Sequence, residues 1–142
     1  MRQAYIKELF EIIPELMKSM HQRSFAVMDK LNLYPGQPQL LARIKEMEGV
    51  TQKELACKHF VKPATITGML MKLEEKHLVY REPDKEDKRI MRVYLTEEGK
   101  ELADRSKKIM NELTIRLFDG FTEEELHQYI TLTKKIIKNV QE

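Results

Sequence analysis

The chain has 142 residues, 42% apolar and 34% charged, with a formal net charge of +2. That length suits one ordinary domain or one partner of a swapped dimer, and the near balance of charge excludes an argument for nucleic acid or membrane from bulk electrostatics. Cys57 is the single cysteine, so an intramolecular disulfide is impossible; no apolar run approaches membrane-spanning length, and a cytoplasmic protein is the expectation.

Apolar residues recur at three- and four-residue steps from Tyr5 to Leu31 (Leu9, Ile13, Leu16, Met17, Met20, Phe25, Met28), the spacing of an amphipathic helix. Pro14 lacks a backbone donor and crowds the carbonyl four residues earlier, which predicts a kink, or a short helix followed by a longer one from near Pro14. Asn32 to Pro38 reads as a loop by its Pro-Gly content, and Gln39 to Glu48 as a second helix ending at Gly49. Thr51 and Glu54 form a capping box with Val50 and Leu55 as its hydrophobic staple, so a short helix starts at Thr51 and ends near His59. Pro63, in a favoured first-turn position, opens a further helix to about His77. Ile66, Met69, Leu70 and Leu73 form its apolar face; Pro63, Ala64, Thr67, Gly68, Met71, Lys72 and Glu75 lie opposite.

Val79 to Glu82 and Ile90 to Leu95 have the alternation of strands, with Met91, Val93 and Leu95 on one face. The segment from Pro83 to Arg89 between them is a solvated hairpin tip rather than a two-residue turn. Thr96, followed by Glu97 and Glu98, opens a helix to about Phe118. Phe121, Thr122, Glu125 and Leu126 repeat the staple and capping box, opening a last helix to Val140. The expected class is mainly α with a small β-hairpin.

Two short helices joined by a brief turn and followed directly by a hairpin is the order of a winged helix-turn-helix, in which the second helix enters the major groove of DNA. Lys62, Ala64, Thr65, Thr67 and Gly68 at the start of that helix are small or polar, which permits close approach to base edges. The same residues also suit an ordinary surface helix. Charge is concentrated here: residues 51–95 carry ten basic against seven acidic side chains, residues 96–142 eight against ten. Arg89 and Lys88 stand on the expected tip beside Lys85 and Arg92, and a protruding arginine suits a narrow minor groove. Asp87, two residues before Arg89, is close enough to orient its guanidinium. Taken alone, a charged tip is also what a merely solvated loop looks like.

Asp87-Lys88-Arg89, five further residues, then Leu95-Thr96-Glu97-Glu98-Gly99 closely resembles the wing signature of the MarR family of bacterial transcription regulators. Thr51-Gln52-Lys53-Glu54-Leu55-Ala56, Val61-Lys62-Pro63-Ala64-Thr65-Ile66-Thr67, Leu73-Glu74-Glu75-Lys76 and Leu78-Val79 resemble it too, so that the likeness covers nearly the whole chain. The resemblance implies a homodimer on a palindromic operator, with residues 1–32 and 96–142 as the helical dimerisation region and 33–95 as the DNA-binding domain. It implies that Arg89 enters the minor groove and that Lys62, Pro63, Ala64, Thr65, Thr67 and Lys72 face the major groove or its phosphates. Four positions depart from the pattern: Lys62 stands where a capping serine is common, Gly68 where arginine is frequent, and Phe60 and His77 at turns where glycine is usual.

The resemblance also implies a repressor released by a small aromatic or anionic compound. His21 and Phe25 on the first helix, with Arg43 and Met47 on the second, are the candidate pocket, and nine methionines supply adaptable apolar surface, although methionines at helical spacing are also core filler. Cys57 could act as a redox switch; its place beside Leu55 and Ala56 favours a buried, inert thiol. The four histidines and Cys57 show no zinc spacing, and no cofactor is expected. Cys57 and His59 point to different sides of a helix, and no phosphate loop or nucleophile elbow is present, so enzymatic activity is not expected. A winged-helix module that pairs only with another protein is the remaining alternative.

Overall fold

The computed structural model describes residues 1–59 and 61–141. Its elements run α1 (Arg2–Asp29), α2 (Gln37–Glu46), β1 (Val50–Thr51), α3 (Gln52–Lys58), α4 (Pro63–Glu75), β2 (Val79–Pro83), β3 (Met91–Leu95), α5 (Glu97–Leu117) and α6 (Glu123–Gln141). The chain divides into two units, Met1–Ile109 and Met110–Glu142. The mainly helical class with a small sheet is the one the sequence predicts.

Helix α1 is continuous through Pro14, so the two-helix alternative does not arise. Proline deprives the Phe10 carbonyl of its donor, and Phe10 is exposed, so solvent can take the vacated place. Only Met28 of this helix is buried. Helix α2 begins two residues before the predicted start, because Gly36 adopts a left-handed conformation (φ 85°) and Pro38 is tolerated in a first turn whose amides lack partners anyway. The Gln37 side chain is buried and accepts a hydrogen bond from the Tyr34 N–H at 2.9 Å.

The Thr51 capping box closes in both directions: the Glu54 N–H donates to Thr51 Oγ1 at 3.2 Å, and the Thr51 N–H donates to Glu54 Oε2 at 2.9 Å. Just before it lies a strand that the sequence did not announce. Val50 and Thr51 pair antiparallel with Val93 and Arg92, making a three-stranded sheet in the order β1-β3-β2. Two residues are too few to show an alternating pattern. Strands β2 and β3 pair from Val79↔Leu95 to Pro83↔Met91, and Tyr80 stacks on Tyr94 with ring centroids 5.3 Å apart.

The core of the first unit collects Leu40, Leu41 and Ile44 from α2, Leu55 from α3, Ile66, Leu70 and Leu73 from α4, and Val93 from β3, all fully buried. Each such side chain contributes on the order of 1.5–3 kcal/mol. In the second unit, Phe118 meets Phe121 edge-on at 5.7 Å, and Thr122 with Glu125 forms the expected capping box. Helix α6 buries none of its side chains.

Helix α4 ends in a Schellman turn: the His77 N–H donates to the Glu74 carbonyl at 2.9 Å and the Leu78 N–H to the Leu73 carbonyl at 3.0 Å. His77 takes the left-handed conformation (φ 57°) usual for glycine at that place; the corresponding expectation for Phe60 lies outside the described residues. The start of α5 locks onto this turn. The Thr96 N–H donates to the Leu78 carbonyl at 3.1 Å, its hydroxyl donates to the His77 carbonyl at 2.7 Å, and the hydroxyl oxygen of Thr96 accepts the Gly99 N–H at 3.0 Å. A Cβ on Gly99 would stand 1.9 Å from the Leu78 carbonyl oxygen, a backbone atom that cannot swing aside. Replacing Gly99 by alanine is therefore expected to destabilise the protein by about 1–3 kcal/mol or more, read as a lower urea midpoint; an unchanged midpoint would show that α5 does not need this approach.

Candidate nucleic-acid interface

Helix α4 presents an exposed start. Lys62, Pro63, Ala64 and Thr65 are all exposed, and Lys62, as N-cap, has extended backbone and makes no side-chain capping bond. Pro63 has no N–H, and the Thr65 and Ile66 N–H groups donate to the Lys62 carbonyl at 2.9 and 3.4 Å, which leaves the Ala64 N–H without a side-chain acceptor at the positive end of a 13-residue helix. Gly68 is exposed on open space, where an added Cβ would meet nothing within 4 Å. Lys72, one turn further along, lies with its Nζ 5.5 Å from the centre of the Tyr34 ring, beside Lys76 at 4.9 Å.

Thr67 stands apart from the other predicted reading residues. It is half-buried, and its hydroxyl donates to the Pro63 carbonyl at 3.1 Å while accepting from Gln52 Nε2 at 3.3 Å. Gln52 Oε1 in turn accepts from Arg81 Nη1 at 3.1 Å, and Arg81 grips Glu74 through Nε–Oε1 at 2.7 Å and Nη2–Oε2 at 2.8 Å. None of Gln52, Glu74 and Arg81 was singled out from the sequence. One signal was available: strand alternation puts Arg81 on the same side as buried Val79, and an inward guanidinium requires a partner.

The tip from Asp84 to Ile90 is built on two carboxylates. Asp84 Oδ2 accepts the N–H groups of Glu86 and Asp87, each at 3.0 Å, and its Oδ1 accepts Arg92 Nε. Arg92 also donates to the Gly49 carbonyl at 2.8 Å, so this predicted tip cation is tied back to the body of the domain. Asp87 takes the next arginine. Arg89 donates its Nε to Asp87 Oδ1 and Nη2 to Oδ2, both at 2.9 Å, while its side chain stays 90% exposed. Lys85 and Lys88 are exposed on the same tip. Beside it, Thr51, Gln52, Lys53, Arg89, Ile90 and Met91 line an open cleft of about 360 Å³. Two cations of the segment thus fasten the wing and three face outward.

The remaining candidates are placed as follows. Cys57 is exposed, which corrects the expectation of a buried thiol: Leu55 and Ala56 take the inward face of α3, and the next position turns away from it. Burial, and then the Arg43 charge, push the His59 imidazole below its usual pKa, and its Nε2 is buried with no hydrogen-bond partner among the described residues. His21 and Phe25 are exposed; Arg43 and Met47 are half-buried, and Met47 Sδ accepts Lys58 Nζ at 3.2 Å. A second cleft, of about 270 Å³, is lined by Ala42, Lys45, Glu46, Ala103, Asp104 and Lys107, which includes none of these four.

Two short helices, a following hairpin and a third strand closing the sheet define a winged helix-turn-helix protein. A profile of the MarR family matches residues 33–91. The HTH-type transcriptional repressor MdtR of Bacillus subtilis (strain 168) is 32% identical over 139 residues, covering 94% of this chain and 82% of that protein. Among solved structures, the YusO protein from Bacillus subtilis aligns at a TM-score of 0.79 and 25% identity, over 97% of this chain and 98% of that one. The S. aureus MepR–DNA complex aligns at 0.80 and 25%, over 94% and 96%. The chain belongs to the MarR family of transcription regulators, and its relatives are regulators rather than enzymes.

The carboxylates of the tip give a pH test. The Arg92 hydrogen bond, followed by the Asp87 and Glu86 amides, lowers the Asp84 carboxyl from 3.8 to about 2, and Arg89 lowers Asp87 in the same direction. A depressed carboxyl stabilises the folded tip fully above its unfolded value of 3.8 and loses that contribution as pH falls toward about 2. The Glu86 and Asp87 amide resonances are expected to titrate with a midpoint near 2; a midpoint at the ordinary aspartate value would mean that the Asp84 cage does not form in solution.

Proposed function

We propose that this regulator works as a homodimer on a palindromic operator and represses transcription until a small aromatic or anionic ligand releases it. The observation that carries the DNA reading is the combination of an exposed, uncapped helix start with a carboxylate-held arginine on the adjoining hairpin. In this reading α4 lies in the major groove with Lys62, Pro63, Ala64, Thr65 and Lys72 against base edges or phosphates, and the Ala64 N–H at its positive end meets a phosphate. Thr67 joins this face mainly through its non-hydroxyl surface, since its hydroxyl is engaged within the protein. Arg89, oriented by Asp87, enters the minor groove, and Lys88 meets a phosphate beside it. The DNA complex of the structural neighbour MepR supports the choice of partner, and the repressor name of MdtR supports the direction of control.

Dimerisation is supported by what the single chain leaves uncovered. Helix α1 exposes Tyr5, Ile6, Leu9, Phe10, Ile13, Leu16 and Met17, and α6 exposes Tyr129, Ile130, Leu132, Ile136, Ile137 and Val140, far more apolar surface than scattered single residues would give. Residues 1–32 and 96–142 are accordingly assigned to the dimer and residues 33–95 to DNA binding. Twofold symmetry then sets half-sites about one helical turn, roughly 34 Å, apart. His21, Phe25, Arg43 and Met47 are the effector residues of the proposal, with Arg43 as the anion partner. A thermal-shift screen with aromatic acids is expected to find a stabilising compound whose effect is lost in Arg43→Ala; a screen without hits would remove the ligand step.

Selection from a random duplex pool is expected to enrich a palindrome, with affinity falling steeply as salt rises because phosphate binding releases counterions. Arg89→Ala should weaken that duplex by about 1–3 kcal/mol in a gel-shift titration while sedimentation still reports a dimer. A folded monomer without sequence preference would sink the proposal.

A further inference from the structure

We infer that Arg81 and Gln52 are positioning residues that set the hairpin against α4, so that Arg89 and the start of α4 engage DNA together; this rests on the DNA-binding reading above. The connection is a single run of hydrogen bonds across three elements. Arg81 on β2 forks onto Glu74 in the last turn of α4, reaches Gln52 at the start of α3, and through Gln52 reaches the Thr67 hydroxyl, which is anchored on the Pro63 carbonyl. Thr67 and Glu74 are seven residues apart, roughly 10 Å along the helix axis. A helix gripped at two points that far apart resists both rotation about its axis and sliding along it.

The chemistry of Arg81 suits this work. Its side chain is 23% exposed and that of Glu74 29%, so the pair is shielded enough to be orienting yet requires its full set of partners. All three of its donating nitrogens are engaged, which separates it from Arg89, whose exposed guanidinium has only Asp87 among the described residues. Arg81 also lies three residues before Asp84, where the tip begins, so a change in the angle of β2 is carried directly into the position of Arg89. Arg92 on β3 ties the second strand to the Gly49 carbonyl, which leaves the hairpin held through both of its strands.

The test uses the full chain and the duplex enriched by selection. Arg81→Lys keeps the charge and loses the fork; it is expected to bind about tenfold more weakly. In that background Arg89→Ala should cost less than threefold, against about fivefold or more in the wild type, because the arginine is already displaced. Exchanging the pair, Arg81→Glu with Glu74→Arg, should recover most of the affinity, and the reduced Arg89→Ala effect is what mere loss of stability does not produce. Gln52→Met carries the same non-additivity test should Arg81→Lys fail to fold. Unchanged affinity and a full Arg89→Ala effect in the variant would each overturn the inference, the second by showing that Arg81 and Arg89 act independently. A wild type that enriches no duplex would instead overturn the DNA-binding reading on which it rests.

Discussion

The carbonyls of His77 and Leu78 are where α4 ends, β2 begins and α5 arrives, and the placement of α4 against the hairpin depends on that junction. One residue in left-handed geometry closes α4, and two carbonyls left over from the turn are taken by Thr96. The backbone of α5 can come this close only because position 99 has no side chain. Helix, strand and following helix are thus joined by backbone atoms and one threonine hydroxyl, with little freedom to repack. The angle between α4 and the sheet is inherited from a turn of a few residues.

Charge is used in two ways around this frame. Arg81 and Arg92 sit among carboxylates and carbonyls and fasten the sheet to its surroundings, whereas Arg89, Lys85 and Lys88 look outward. The two classes are neighbours in sequence, and composition does not distinguish them. Partner geometry does: Arg81 and Arg92 each reach groups on more than one segment, while Arg89 holds only the carboxylate two residues before it. An Asp-Arg pair of that kind fixes direction at little cost in exposure, because both partners belong to the same tight turn.

Features written in short stretches of chain were legible in the sequence. The capping boxes at Thr51 and Thr122, the opening of α4 at Pro63 and the extent of the hairpin all come from signals within a few residues of one another. What was missed needed residues distant in sequence. Strand β1 exists because Val93 and Arg92 offer it an edge, not because Val50 and Thr51 form a pattern. Thr67 looked free on a helical wheel, but Gln52 of the preceding helix covers it, and Arg81 finds Glu74 only after the chain has turned back at His77. Cys57 was misplaced because the general habits of cysteine outweighed the helical position next to Ala56.

The long apolar stripe of α1 has a consequence beyond recognition. If a second copy is what covers it, mass action couples folding to abundance: halving the amount of protein lowers the stability of every copy as well as their number. Operator occupancy would then fall with the square of the monomer level once its concentration drops below the dissociation constant of the pair. A cell could silence such a regulator by making somewhat less of it, with no signal molecule involved.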